Sequence, residues 1–148
     1  MRLLLRSNEY GGSLTEMKTQ GVMTRYLLAP RMERDDGVGP TMELGDLEGK
    51  LLVISLAIND VIEHEAIAIS IWGSEHGSEW GMKPLLAIPE KSYCGVYSTF
   101  LNLAKHPEVH YLRAEWKMKR WDKRLSGFLF GLQISVRPMR TQFQAAVA

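Results

Sequence analysis

A chain of 148 residues, 45% hydrophobic and 24% charged, has the size and composition of one soluble globular domain with a sizeable core, and is not composed as a disordered chain. Eighteen basic and seventeen acidic residues leave a formal net charge of +1, so overall charge predicts neither a nucleic-acid nor a membrane partner, and only local clustering could. The single cysteine, Cys94, excludes an intrachain disulfide and a zinc cluster built on thiolates.

At the N-terminus, "MRLLLRSNEYGG", the apolar run Leu3 to Leu5 is cut short by Arg6, whereas a secretory signal needs about 7 to 15 apolar residues. No stretch approaches the roughly 18 apolar residues of a membrane span. A cytoplasmic protein without a membrane partner is the expectation, and a lone cysteine suits a reducing compartment. Residues 1–24 lack periodicity and read as a flexible leader. The folded domain is expected over residues 25–140, with a C-terminal tail over 141–148.

"TRYLLAP" (24–30) predicts a first short strand, and "RMERDDGVGP" a turn punctuated by Asp36-Gly37 and Gly39-Pro40. "LLVISLAI" (51–58) is nearly continuous in apolar, often β-branched residues, the pattern of a strand buried on both faces. "NDVIEHE" follows as a polar break. "AIAISIW" (66–72) then alternates, with Ile67, Ile69 and Ile71 on one face and Ala66, Ala68, Ser70 and Trp72 on the other.

"KPLLAIP" (83–89), bracketed by Pro84 and Pro89, predicts an edge strand. "KSYCGVY" surrounds Cys94 with strand formers and offers no cation closer than Lys91 to activate it, which predicts a packed thiol. "GVYSTFLNL" (95–103) aligns Tyr97, Thr99, Leu101 and Leu103. "VHYLRAEWKM" (109–118) sets Leu112, Ala114, Trp116 and Met118 against Val109, Tyr111, Arg113 and Glu115, with His110 read as a sheet-face residue. "FLFGLQISV" keeps Phe128, Phe130, Leu132, Ile134 and Val136 on one face. The one helix candidate, "TFLNLAKHPEV", is ended early by Pro107. Short strands joined by glycine and proline turns, with few or no helices, predict an all-β antiparallel sandwich of jelly-roll type.

Three polar segments could carry chemistry. "GSEHGSEWG" offers Glu75, His76 and Glu79, but positions i, i+1 and i+4 do not converge on extended or turning backbone. A reversal made by Gly77 with Ser74 or Ser78 bonding the turn backbone, and Trp80 lying back on the sheet, is the expectation. Asp60, Glu63, His64 and Glu65 in "NDVIEHE" could act as paired carboxylates or calcium ligands, yet a polar break between apolar strands needs solvating groups anyway. No metal or cofactor is predicted, and no catalytic residue has a local signature.

The third segment, "EWKMKRWDKR" (115–124), is the best surface candidate. Lys117, Lys119, Arg120, Lys123 and Arg124 face Asp122 alone, with Trp116 and Trp121 interleaved. As a loop it would place Lys119, Arg120, Lys123 and Arg124 against phosphates or carboxylates while Trp121 stacks on a base or sugar. The alternative is a solvated hairpin.

"ISIWGSEHGSEW" followed by "VHYLRAEW" resembles the core of discoidin-like (coagulation factor 5/8 C-type) β-sandwich modules, over about forty residues in two pieces. That resemblance implies a non-catalytic module that binds carbohydrate, lipid head groups or protein through loops at one end. His76 stands where that family has Asp, and its terminal cysteine pair is absent. Its binding loops precede the core strands and do not align here, so no binding residues carry over. The expectation is a module recognising a glycan, polyanion or protein. A structural subunit of a homo-oligomer and a small metal-dependent hydrolase using the acidic turns are the alternatives.

Overall fold

A computed structural model describes residues 24–61, 65–120 and 130–139. Its strands are β1 (Arg25–Glu33), β2 (Gly37–Val38), β3 (Met42–Glu43), β4 (Leu51–Val61), β5 (Glu65–Ser74), β6 (Leu86–Lys91), β7 (Gly95–Asn102), β8 (Tyr111–Arg120) and β9 (Phe130–Pro138). They pair antiparallel into a first sheet ordered β1-β9-β4-β7 and a second ordered β2-β8-β5-β6, with β3 also on β8. Two short 3-10 turns, Gly45–Leu47 and Leu103–Lys105, are the helical elements among the described residues. With β2 and β3 counted as one interrupted edge, eight strands pass between two sheets in jelly-roll order. The fold is an all-β antiparallel sandwich.

The alternating positions explain the layers. Leu52, Ile54, Leu56 and Ile58 of β4 and Phe130, Leu132, Ile134 and Val136 of β9 turn inward against Ile67, Ile69 and Ile71 of β5 and Leu112, Ala114 and Trp116 of β8. Each large apolar side chain so buried contributes roughly 1.5–3 kcal/mol. β4 lies between β9 and β7, so even its outward Val53 and Ala57 are buried, as its continuous apolar run predicted. β6 is an edge, as the prolines of segment 83–89 predicted, but it runs from Leu86 to Lys91, leaving Pro84 outside and Pro89 within it. Its residues Pro89 and Glu90 form a bulge between the pairs Ile69–Ile88 and Ile67–Lys91, where a missing N–H costs the ladder little.

Several local readings need correction. β1 runs on to Glu33, and Gly37–Val38, expected as a plain turn, pairs with Trp116 and Glu115 of β8. The indole of buried Trp116 causes this: its Nε1 donates to the Asp35 carbonyl (2.9 Å), and Asp36 Oδ1 accepts from the Met118 N–H (2.7 Å). A Cβ at Gly37 would stand 2.6 Å from the indole, so only glycine lets the chain cross so closely. Cys94, expected to pack, is exposed, because it falls in the reversal between β6 and β7 rather than in a strand. The helix candidate resolves into the end of β7 and the turn Leu103–Lys105, where Asn102 Oδ1 accepts from the Ala104 N–H. His110 precedes β8, its Nδ1 2.9 Å from a Glu48 carboxylate oxygen.

Among the described residues, no helix is long and apolar enough to cross a membrane.

Candidate functional site

The strand register puts side chains from four strands in one row on the outer face of the second sheet. Val38 of β2 lies opposite Glu115 of β8, Glu115 opposite Ser70 of β5, and Ser70 opposite Ala87 of β6. On adjoining rows, Ala68 faces Lys117, Trp72 faces Arg113 and Ala66 faces Lys119. The outward positions of β5 are thus small until Trp72. Small side chains between taller neighbours leave a groove of about 670 Å³, open to solvent and lined by Asp36, Val38, Ala68, Ser70, Trp72 and Lys117 among others.

The groove has two chemically different ends. At one, the Trp72 indole is half-buried and its Nε1 donates to Ser70 Oγ (2.9 Å), which holds the ring in place. Beside it the Arg113 guanidinium stacks on Trp80 at 4.4 Å and bonds Glu115 at 2.9 Å. Both carboxylates of the groove are therefore engaged, Glu115 by Arg113 and Asp36 by the Met118 N–H. At the other end Lys117 and Lys119 are exposed, and no carboxylate among the described residues pairs with either.

This changes the setting of the predicted basic loop. β8 continues to Arg120, past the expected end near Met118, so Lys119 belongs to a sheet face beside the groove and not to a hairpin tip. Arg120 ends β8, opposite Glu65. Trp121, Lys123 and Arg124 lie outside the described residues. Trp116, placed in the core by its alternation, is 2% exposed.

The segment "GSEHGSEWG" forms the reversal after β5. Gly77 has φ +84°, and its N–H donates to Ser74 Oγ (2.8 Å). Glu75 and His76 are 3.8 Å apart and both largely exposed, and Trp80 folds back over Arg113. Among the described residues, no three His, Cys, Asp or Glu side chains gather closely enough to hold a metal ion. Of the other acidic segment, Asp60 is exposed on β4 and Glu65 is buried at the start of β5, while Glu63 and His64 lie outside the described residues.

A β-branched side chain resists positive φ, so Gly77→Val should lower stability by about 1–2 kcal/mol. Glu75→Ala and His76→Ala should each stay within about 0.5 kcal/mol, as exposed positions usually do. Urea unfolding of the three variants checks this contrast.

No family model and no curated protein matches the sequence. One solved structure with a similar backbone is described as "Structure of infectious bursal disease virus Gx strain", at TM-score 0.48 and 8% identity. The alignment covers 79% of this chain and 32% of that one, so this chain spans about a third of that chain's length.

Proposed function

We propose that the protein is a non-catalytic binding module that holds a glycan chain in the groove on its second sheet. The observation that carries this reading is the combination of a floor of small side chains with an indole fixed by a hydrogen bond from its own N–H. A sugar presents a flat C–H face that packs on an indole, and its hydroxyls need neighbours that accept and donate without excess charge. Ser70, the paired Glu115 and the backbone of the β2 edge supply such a lining. The exposed ammonium groups of Lys117 and Lys119 add affinity for acidic substituents on the chain. Placed on a sheet face, the ligand lies away from the loop ends that the discoidin-like resemblance implies.

Tryptophan fluorescence and calorimetric titration with neutral and acidic oligosaccharides test the proposal. Trp72→Ala should weaken binding about tenfold or more, since loss of a central aromatic anchor commonly costs over 1 kcal/mol. Lys117→Gln with Lys119→Gln should leave neutral oligosaccharides unaffected and flatten the salt dependence of acidic ones. Binding unchanged in Trp72→Ala would place the ligand elsewhere, and no binding to any oligosaccharide would reject the reading.

A further inference from the structure

Among the described residues the two sheets end in four edges, and three of them carry features that resist pairing with another chain. β1 is broken by register shifts between Tyr26 and Leu28 and between Leu28 and Arg31, and bears Arg25, Arg31 and Glu33. β2 and β3 are two residues long each. β6 holds Pro89 in a bulge, followed by Glu90 and Lys91. Short, bulged, charged or proline-bearing edges are the usual protection against edge-to-edge association.

β7 has none of these. Its sequence, GVYSTFLN, is eight residues without a charge or a proline, and it pairs with β4 in unbroken register from Gly95 to Asn102. Its outward positions are Val96, 70% exposed, Ser98, and Phe100, 58% exposed, and Tyr93 just before it is 78% exposed. A long, regular, uncharged edge flanked by exposed apolar groups is a template for a further strand.

We infer that this edge is covered by β7 of a second copy, so that the first sheet continues through a two-fold axis at Ser98. An antiparallel partner that keeps the two faces of the sheet continuous must place outward residues opposite outward residues, because side chains alternate along a strand. With the axis at Ser98, Val96 of each copy lies opposite Phe100 of the other, Tyr97 opposite Thr99, and Ser98 opposite itself. Aromatic and β-branched residues stabilise each other in such pairs. Moving the axis one residue, to Tyr97 or Thr99, sets Val96 or Phe100 against Ser98 and loses both matches. Since the strand carries no charge, self-pairing opposes no like charges. The same patch thus serves both copies, as a two-fold interface requires.

Light scattering on the full chain, with charge variants at the two exposed positions, tests the pairing and its register. The wild type should run at twice the chain mass. V96K/F100K sets lysine against lysine and should run as a monomer, with unchanged circular dichroism because both positions are exposed. V96E/F100K sets opposite charges across the same axis and should return to the dimer. In a Cys94→Ser background, S98C should oxidise to a covalent dimer, since directly opposed residues of a pair are within disulfide reach. A monomeric wild type, or a dimer that V96K/F100K leaves intact, would overturn the inference. A dimer that V96K/F100K breaks but V96E/F100K does not restore, and S98C does not cross-link, would reject this register. None of these variants touches the groove, so oligosaccharide binding and dimerisation succeed or fail separately.

Discussion

Trp116→Ala is expected to destabilise the protein by about 3–5 kcal/mol, the range for removing a large aromatic from a packed core. The indole is 2% exposed and belongs to the shared core of the two sheets. It also acts as a peg for the chain outside it. Its Nε1 holds the Asp35 carbonyl at 2.9 Å, and Gly37 crosses its ring so closely that a Cβ would stand 2.6 Å away. Removing the ring therefore leaves a cavity and frees the segment that makes the β2 edge. That edge is one wall of the groove, so affinity for the proposed ligand should fall with stability. Trp116→Phe separates the two effects: it keeps most of the apolar volume and loses the bond to Asp35, at a cost of about 1 kcal/mol from the lost bond and more if the ring settles poorly. Urea unfolding measures the first effect, and faster hydrogen exchange at Gly39, whose N–H donates to the Ala114 carbonyl (2.8 Å), measures the second. A loss under about 1 kcal/mol in Trp116→Ala would mean that the core closes over the gap.

The same peg shows where sequence pattern stops being informative. Strands β4, β5, β7, β8 and β9 were legible because each has enough inward-facing apolar residues to display its period. The pairs Gly37–Val38 and Met42–Glu43 are too short to display any period. They are strands because β8 lies beside them and Trp116 and Asp36 fasten the chain there, and a partner some eighty residues away in sequence leaves no local signal. Polar character misled in the same way at "NDVIEHE". Asn59 and Asp60 look like a break, yet they extend β4, since exposed strand ends tolerate polar side chains. Cys94 misled in the opposite sense, because strand formers on both sides of a residue do not bury it when it sits in the reversal between them.

The groove was half legible. Ala66, Ala68, Ser70 and Trp72 stood out in the sequence as the face of β5 opposite Ile67, Ile69 and Ile71. A face of small residues ending in an aromatic is a signal for a concave surface, but its depth depends on Val38, Ala87 and Lys117, which only strand register brings beside it. The basic cluster was visible as a run of charge, and its reading as a hairpin failed at Lys119 because β8 outlasts its last apolar residue. Alternation of Lys117 and Lys119 with Met118 was the clue, since it continues the strand's period.

Phe130→Ala should likewise cost about 3–5 kcal/mol. Phe130 is fully buried and, after Trp116, is the largest side chain of the core. It opens β9, the strand between β1 and β4, and sits opposite Glu33 of one and Val61 of the other. That place matters because β1 reaches it only after two register shifts, so the pairs Arg31–Leu132, Met32–Gly131 and Glu33–Phe130 have no uninterrupted ladder behind them. The buried ring anchors this end of the first sheet from the inside. Without it the end of β1 should open before the rest, so the amides there that bond β9 should lose hydrogen-exchange protection beyond the global change. Phe130→Leu keeps an apolar side chain in the site and should cost under about 1.5 kcal/mol if the core repacks. The β7 edge lies at the far side of the same sheet, separated from β9 by β4, so the inferred pairing through β7 should be unaffected by Phe130→Leu. Equal stability of Phe130→Ala and wild type in urea would show that the ring is not part of the cooperative core.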